Sequence, residues 1–229
     1  RRQRAHAIKA DIVARMDDYL SRFIARVSAN GITVHRARDA QEAVAIFLQI
    51  ASTVRKKDGK PLLVAKSKSM VSEEVNLNNA LEKHGIRAVE TDLGEYIVQL
   101  RGEHPSHIIT PAVHLRRNDV GKLFEEKLGL PYTEDIPTLT NTARKVLRDV
   151  FLQADIGFSG VNLGVVETGT LCMVTNEGNG RMVTTLPKVH IAMMGIERLV
   201  PSMEDLALFL SLLGRSATGQ TLSVYTSLI

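Results

Sequence analysis

Short apolar runs alternate with helical patterns through the middle of the chain, and this alternation limits the possible folds more than any other feature. Residues 61–65 form a continuous apolar run, which is typical of a strand buried on both faces of a parallel sheet. A helical pattern follows from Ser69, and the same order of strand and helix recurs over residues 86–89 and 95–100, with a further strand predicted at 107–110. The sequence therefore predicts an α/β fold with a mostly parallel sheet flanked by helices.

Strand-like runs become frequent towards the C-terminus, so this part of the chain is predicted to be rich in strands. They fall at residues 156–158, 161–166, 170–175, 181–185, 191–195 and 222–225. Glycine-containing turns separate them, and the sequence NEGNG at residues 176–180 is typical of a hairpin. Two helices are predicted before this region, at residues 119–128 and 140–153.

The N-terminal segment has a helical pattern of its own. Apolar side chains recur at helical spacing through residues 4–29, and Gly31 follows as a helix stop. We predict one amphipathic helix within residues 1–30 and a short strand at residues 32–35. With 229 residues the chain is long enough to build one hydrophobic core, so residues 1–229 are predicted to form a single domain.

Cysteine usage and charge exclude several classes of site. A single cysteine, Cys172, cannot form an intramolecular disulfide or an all-cysteine zinc or iron-sulfur site in this chain, and its apolar surroundings indicate a core residue. The 29 basic and 25 acidic residues are spread along the chain, and tryptophan is absent, so we expect no nucleic-acid partner. No run approaches ~18 apolar residues, so we expect a cytoplasmic protein without a membrane span.

The sequence KSKS at residues 66–69 directly follows the first predicted strand and opens a helix. A helix N-terminus carries free N–H groups and a partial positive charge, so the neighbouring hydroxyl and ammonium groups could hold a carboxylate or a phosphate. The predicted ligand contacts are Lys66, Ser67, Lys68 and Ser69. Alternatively, Ser69 only caps the helix and both lysines face solvent. The glycines of a P-loop are absent.

A second candidate site is the sequence NLGVVETGT at residues 162–170, where Glu167 precedes a glycine turn between two apolar runs. A partly buried carboxylate in this position could act as a nucleophile or a base, so Glu167 is the candidate catalytic residue. It could also accept hydrogen bonds from turn amides and only brace the loop. Further ligand contacts are predicted at Asn162, Gly164, Thr168, Gly169 and Thr170.

Arg181 and the histidines are the remaining candidates. Arg181 could bind a substrate carboxylate with both terminal nitrogens of its guanidinium, although a plain hairpin also explains the sequence around it. His104, His107 and His114 do not have the spacing of a zinc motif, so no metal site is expected. His190 is interpreted as a packed histidine.

Five motifs occur in a defined order along nearly the whole chain. They are KSKSM at residues 66–70, TDLGEYI at 91–97, PSHIITP at 105–111, NLGVVETGT at 162–170 and LPKVH at 186–190. The ordered set resembles the LUD domain of the lactate utilisation protein B family, and the order is specific where each motif alone is weak.

The resemblance implies a fold similar to the NagB, RpiA and CoA-transferase group, and a role in the oxidation of L-lactate to pyruvate together with two sister subunits. Full-length members of the family resemble electron-transfer proteins that carry cysteine-ligated 4Fe-4S clusters in a region after the LUD domain. This chain lacks those cysteines. It is therefore expected to hold no cofactor and to be inactive in electron transfer by itself.

Two alternative functions remain open from the sequence. A self-sufficient enzyme of the same fold group could act on a CoA thioester or a sugar phosphate with Glu167 as nucleophile or base, an analogy at the level of the fold. A non-catalytic assembly module could instead dock on a partner through the basic N-terminal helix.

Overall fold

The computed structural model describes residues 1–54, 60–106, 110–175, 177–221, 223 and 225–229. Within this part of the chain, eight strands form two four-stranded sheets. The strands are β1 (Leu63–Lys66), β2 (Arg87–Glu90), β3 (Ile156–Gly160), β4 (Leu163–Val165), β5 (Thr170–Thr175), β6 (Val189–Met193), β7 (Leu199–Val200) and β8 (Tyr225–Leu228).

Helices occupy most of the remaining described residues. They are α1 (Arg2–Ala14), α2 (Met16–Ala29), α3 (Ala40–Thr53), α4 (Met70–Glu74), α5 (Leu77–Lys83), α6 (Leu93–Arg101), α7 (Arg117–Leu128), α8 (Ile136–Gln153), α9 (Asn179–Thr185) and α10 (Met203–Thr218). In the described ranges, none of these helices has the length and apolar character needed to cross a membrane.

The first sheet is parallel throughout and has the strand order β2-β1-β3-β6. β1 lies in the centre, where Val64 pairs with Ala88 of β2 on one side and with Ile156 of β3 on the other. The apolar runs that predicted these strands therefore form the interior of the sheet. The predicted α/β fold with a mostly parallel sheet is confirmed, while the likeness to the NagB, RpiA and CoA-transferase group stays a prediction.

The order in which the strands are added to the sheet changes direction at β1. The chain passes from β1 to β2 on one side of the sheet and later returns to β3 on the other side. Open parallel sheets bind ligands in the crevice beside such a reversal, at the carboxyl ends of the strands. Here the ends of β1 and β3 lie close together. The Ser67 amide donates to the Phe158 carbonyl at 2.9 Å, and a Cβ on Gly160 would lie 2.7 Å from Ser69 Oγ.

Apolar side chains cover both faces of the parallel sheet, because successive residues of a strand point to opposite faces. On one face, Phe47 of α3 and Leu77 of α5 pack with Phe158. On the other face, Leu147 of α8 and Val183 of α9 belong to a second buried cluster. Full burial of side chains of this size contributes roughly 1.5–3 kcal/mol each, so the two clusters hold the layers together.

The second sheet has the order β7-β4-β5-β8 and is mixed. β4 pairs with β5 and β5 with β8 in antiparallel fashion, whereas β4 and β7 are parallel. The turn from β4 to β5 contains Gly169, whose φ of 74° lies in the left-handed region that glycine adopts without strain. The predicted strand-rich C-terminal part is thus present, and Cys172 of β5 is a fully buried core residue as expected.

The prediction of one continuous N-terminal helix within residues 1–30 is wrong. The chain forms α1 and α2, which are separated at Arg15, where φ is −126° and ψ is 36°. The Arg15 guanidinium donates to Asp11 across the bend at 2.9 Å. Side chains from both helices, Ile12 and Phe23, enter the same core cluster.

The hairpin predicted at residues 176–180 and the strand predicted at residues 181–185 are also wrong. Helix α9 occupies this position, and Asn176 itself lies outside the described residues. Val183 of α9 is fully buried against the parallel sheet. Burial of this apolar side chain, which depends on the tertiary fold, outweighs the local preference of the sequence for a tight turn.

Smaller differences concern element boundaries. Residues 32–35 form no strand, and two of their side chains pack on the core cluster that lies under the N-terminal helices. The helical pattern after β1 forms two helices, because Asn76 adopts a left-handed conformation with a φ of 52°. The last strand begins at Tyr225, and most of the strand predicted at residues 107–110 lies outside the described residues.

Close packing of β3 against α9 gives a testable prediction at Gly157. A Cβ at this position would lie 1.8 Å from the Val183 carbonyl oxygen, a backbone atom that cannot yield without displacing α9. We expect Gly157→Ala to lower the free energy of unfolding by about 1–3 kcal/mol or more, measured by urea denaturation. Gly178→Ala is the matched control, since a Cβ there meets no atom within 4 Å. Equal midpoints for both variants would contradict this packing.

Candidate functional site

The buried polar side chains of the described residues are concentrated in one region of the molecule. They are Lys66, Ser67, Ser69, Ser72, Glu90, Thr91, Asp92, Glu95, Ser159 and Asn179. They come from the carboxyl ends of β1, β2 and β3 and from the first turns of α4, α6 and α9. We call this set the carboxyl-edge cluster. It lies beside the reversal of strand order, where parallel sheets bind ligands.

A closed network of hydrogen bonds forms around Lys66, which is completely buried. Lys66 and Glu90 are register partners on β1 and β2, and the Lys66 ammonium donates to Glu90 Oε1 at 2.6 Å. The same ammonium donates to Asn78 Oδ1 at 2.7 Å, and the amide nitrogen of Asn78 donates to Glu90 Oε1 at 2.8 Å. Glu73 lies 3.8 Å away. Lys66 is therefore engaged with protein groups.

Glu95 of α6 carries the proton of the cluster. Its pKa is raised to about 8, first by burial and then by the charge of Glu90 and a hydrogen bond with it. Asp92 acts in the same direction, and Lys68 opposes it. Glu95 is thus protonated at neutral pH and can donate a hydrogen bond to Glu90. Two carboxyl groups that share one proton are a common device for acid–base chemistry.

The N-terminus of α6 is occupied by carboxylates of the protein itself. Asp92 Oδ1 accepts from the Glu95 amide at 3.2 Å, and Glu177 Oε1 accepts from the Leu93 amide at 3.2 Å. Burial raises the pKa of Glu177, and the charge of Asp92 adds to the effect. These amides are the donors with which a helix end would hold an external anion, and here they are already used.

Two buried acceptor atoms in the described part of the chain have no hydrogen-bond partner, Glu90 Oε2 and Asn179 Oδ1. A protonated Glu95 can supply the donor for Glu90. The Thr91 hydroxyl donates its proton to the Lys66 carbonyl at 2.6 Å, so towards Asn179 it can only accept. Asn179 therefore turns its Nδ2 to Thr91, at 3.4 Å, and this contact fixes the orientation of the side-chain amide. Asn179 Oδ1 therefore remains an acceptor without a donor.

His190 forms a pair with the buried Ser159. Its Nε2 lies 2.8 Å from the Ser159 hydroxyl and joins β6 to β3. Burial lowers the pKa of His190, so the imidazole is neutral at neutral pH. With a partner in the sheet and a largely buried ring, His190 matches its interpretation as a packed histidine.

Glu167 has a different environment from the carboxyl-edge cluster. Its side chain is exposed, and its carboxylate accepts from the Met203 amide at 3.1 Å, where α10 begins. The Glu167 amide donates to the Pro201 carbonyl at 3.0 Å. An open pocket of about 480 Å³ lies beside it, lined in part by Arg22 and Arg26. The observed contacts correspond to bracing of the loop, and a catalytic role of Glu167 stays a prediction.

The other residues predicted around Glu167 also make contacts within the second sheet and with α2. Asn162 Oδ1 accepts from the Val174 amide at 2.7 Å, and the Thr168 hydroxyl donates to Thr170 Oγ1 at 2.7 Å. A Cβ on Gly164 would lie 2.8 Å from the ring of Phe23. A Cβ on Gly169 would lie 2.8 Å from backbone atoms of Arg26 and Val27 at the end of α2.

The site residues predicted from the sequence thus lie in three different environments. Lys66, Ser67 and Ser69 belong to the carboxyl-edge cluster, and Lys68 acts electrostatically on Glu95 there. The Glu167 turn contacts α2 and α10. Arg181 is exposed on α9 and, with Glu177, lines an open pocket of about 300 Å³ next to β8.

Sequence reasoning did not single out Glu90, Glu95, Glu177 or Asn179. Glu90 had a usable signal, because it is a charged residue at the end of an apolar run, as Lys66 is. Asn179 was not considered by itself, because residues 176–180 were interpreted as a hairpin turn. Among the described residues no group of three or more His, Cys, Asp and Glu side chains is arranged to hold a metal ion.

Comparisons with known proteins give one consistent result. The family model of the LUD domain matches residues 20–229. Lactate utilization protein B of Bacillus pumilus is 45% identical to this chain, and the match covers 100% of this chain and 47% of the relative. Lactate utilization protein B of Bacillus subtilis is 44% identical, and the match covers 98% of this chain and 46% of the relative. An uncharacterized electron transport protein of Escherichia coli K12, YkgF, is 43% identical, and the match covers 99% of this chain and 46% of the relative. The chain spans about half the length of these relatives, and no solved structure matches it.

Proposed function

Because this chain belongs to the LUD domain family, we propose that it is the ligand-binding domain of an electron-transfer protein that serves the oxidation of L-lactate to pyruvate. The names of its relatives support both parts of this proposal, lactate utilisation in two of them and electron transport in the third. We further propose that the protein acts in the cytoplasm with sister lactate-utilisation subunits.

The observation that carries the proposal is the concentration of buried charged and polar groups at the carboxyl edge of the parallel sheet. Burial of an ionised group costs several kcal/mol unless it is paired, so proteins place such groups mainly where a ligand or a reaction needs them. The cluster combines a buried ion pair of Lys66 and Glu90 with a protonated Glu95. It also lies where the topology of the sheet favours a ligand site. We propose that the small ligand of the domain binds here.

The residues of this chain do not fit an iron-sulfur cluster. Cluster ligands are thiolates, and a 4Fe-4S cluster generally takes four of them. The one cysteine, Cys172, is completely buried in β5, and burial raises the pKa of its thiol to about 11. We propose that any clusters belong to other parts of the full-length protein and that this domain contributes ligand binding.

Growth on L-lactate tests the proposal. We expect deletion of the gene in the organism that encodes it to abolish growth on L-lactate as the carbon source and to leave growth on glucose intact. The full-length gene should restore growth. The gene that carries both Lys66→Met and Glu90→Leu should not restore it, because these two changes remove both charges of the buried ion pair. Replacing a buried ion pair by apolar residues is often neutral for stability, so the double variant is expected to fold.

The exposed ion pair of Arg4 and Glu204, 2.8 Å apart, provides the matched control. Arg4→Gln with Glu204→Gln should restore growth fully, with protein amounts compared by immunoblot. Normal growth of the deletion strain on L-lactate would refute the proposed role. Restored growth with the Lys66 and Glu90 double variant would refute the proposed site.

A further inference from the structure

A serine, a histidine and a carboxylate are joined in series in the connection between α6 and α7. The Ser106 hydroxyl lies 2.7 Å from Nδ1 of His114, and Nε2 of the same ring lies 2.8 Å from Glu103 Oε2. Arg101 Nε donates to the other carboxylate oxygen of Glu103 at 2.7 Å. A serine nucleophile, its base and the acid that orients the base follow each other in this order.

The backbone around these residues holds the serine and the histidine next to each other. The Ser106 amide donates to the Pro111 carbonyl at 3.1 Å, which brings Ser106 to the segment that carries His114. Ala112 and Leu115, on either side of His114 in the sequence, pack against the core cluster formed by α6, α7 and α8. The short distance between Ser106 and His114 therefore has a packed support.

The carboxylate determines which nitrogen of the histidine carries the proton. Hydrogen bonds from Arg101 and then from His114 hold the pKa of Glu103 below its ordinary value, so this group is ionised at neutral pH and can only accept. A neutral His114 then carries its proton on Nε2, and Nδ1 keeps a lone pair for the Ser106 hydroxyl. A general base that activates a serine requires this tautomer.

The three side chains are open to solvent. Those of Glu103 and His114 are each 36% exposed, and Ser106 is exposed as well. The pair of Ser159 and His190 has a similar distance of 2.8 Å, but Ser159 is completely buried and no substrate can reach it. Only the exposed serine is therefore expected to react with an external molecule.

The exposed group also lies apart from the carboxyl-edge cluster. That cluster includes Asp92 and Glu95 at the start of α6, whereas Glu103 follows the last residue of the same helix. A helix of nine residues is roughly 13 Å long, so the two sets of side chains lie at opposite ends of it.

We propose that Ser106, His114 and Glu103 form a second reactive site, which cleaves carboxylic esters through an acyl-serine intermediate. Ser106 Oγ forms a bond to the ester carbonyl carbon while His114 Nδ1 takes the hydroxyl proton. The bond from this carbon to the alcohol oxygen then breaks, and the alcohol leaves with that proton. Water attacks the acyl-serine with His114 again as base, which releases the carboxylic acid and restores Ser106.

Glu103 is a positioning residue in this scheme, because it holds the imidazole ring and does not contact the substrate. The inference goes beyond the proposed function and does not depend on it. Labelling of Ser106 and growth on L-lactate are separate measurements, so either can fail without the other.

A fluorophosphonate probe tests the nucleophile, because it forms an Oγ–P bond with an activated serine and releases fluoride. On the folded full-length protein we expect about one equivalent of label on Ser106, identified by mass spectrometry of the labelled peptide. p-Nitrophenyl acetate should give a burst of p-nitrophenol and an acetyl group on the same residue. Ser106→Ala should abolish both reactions. Ser52→Ala, which removes an exposed hydroxyl that donates to the Gln49 carbonyl, is the matched control and should react normally.

Substitutions of the other two residues test the base and its support. His114→Gln should slow labelling by about 100-fold or more, since general base catalysis contributes roughly this factor. Glu103→Gln should slow it by at least about tenfold, because glutamine does not fix the tautomer, and Glu103→Asp should recover part of the rate. All three side chains are exposed, so the urea denaturation midpoints should stay nearly unchanged.

Several results would overturn the inference. They are labelling that is absent from Ser106, labelling that is found only after the protein is unfolded, and equal labelling rates for His114→Gln and the unchanged protein. A Glu103→Asp variant that reacts no faster than Glu103→Gln would overturn the positioning role of this carboxylate.

Discussion

Lys66→Met is expected to lower the free energy of unfolding by about 3–5 kcal/mol, one of the largest losses available to a single substitution in this chain. The substitution removes a completely buried ammonium and leaves the Glu90 carboxylate, itself 4% exposed, without its opposite charge. Asn78 alone remains as a donor to Glu90 Oε1. Urea denaturation at pH 7, followed by circular dichroism, measures the loss.

Two comparisons make this result specific to the buried pair. Adding Glu90→Leu to Lys66→Met removes the stranded charge and should recover a large part of the lost stability. Arg4→Gln breaks an exposed pair and should leave the denaturation midpoint nearly unchanged. If Lys66→Met has no larger effect than Arg4→Gln, the network around Lys66 does not form as described.

Stability is expected to fall between about pH 4.5 and pH 8 because of Glu95. The pKa of Glu95 is raised to about 8 in the folded protein from an ordinary value of 4.5. In this window the folded state therefore binds more protons than the unfolded state, and stability decreases as pH rises. The charged groups that act on Glu95 are Glu90, Asp92 and Lys68. The loss is on the order of a few kcal/mol across the window, and denaturation at pH 5, 6.5 and 8 measures it.

Glu95→Gln should flatten most of this pH dependence, because glutamine keeps a hydrogen-bond donor for Glu90 and does not ionise. A smaller slope should remain from Glu177, whose pKa is also raised. Glu82→Gln changes an exposed carboxylate on α5 and serves as the control. A Glu95→Gln variant with the slope of the unchanged protein would show that another group carries the proton.

The catalytic alternative for Glu167 has less structural support than the carboxyl-edge cluster. Its carboxylate is exposed and serves as an acceptor for the first amide of α10, a contact that stabilises the helix start. The pocket beside it is larger than the pocket beside α9, with about 480 Å³ against about 300 Å³, yet volume alone supplies no chemistry. Buried, coupled ionisable groups are the stronger indication of function.

Several parts of the fold followed from the sequence alone. Residues 61–65 were predictable as a strand of a parallel sheet, because a strand buried on both faces forms a continuous apolar run. Residues 86–89 repeat the pattern less strictly, with Arg87 exposed at the start of the edge strand β2. The order of five motifs identified the family, which the match to the LUD domain over residues 20–229 confirms. Lys66 and Ser69 were predicted in a site because they directly follow a buried strand and open a helix, whose N-terminus can hold an anion.

Only the tertiary structure decided which residues meet. Lys66 and Glu90 are 24 positions apart, and their contact depends on the pairing of β1 with β2 in one particular register. The formation of α9, which places Asn179 in the cluster, depends on the burial of Val183 against β3. Local sequence determines the pattern of each element, whereas burial, desolvation and raised pKa values arise from neighbours distant along the chain. The sequence could therefore indicate the edge of the sheet, and the structure was needed to identify its acid pair and its unpaired acceptor.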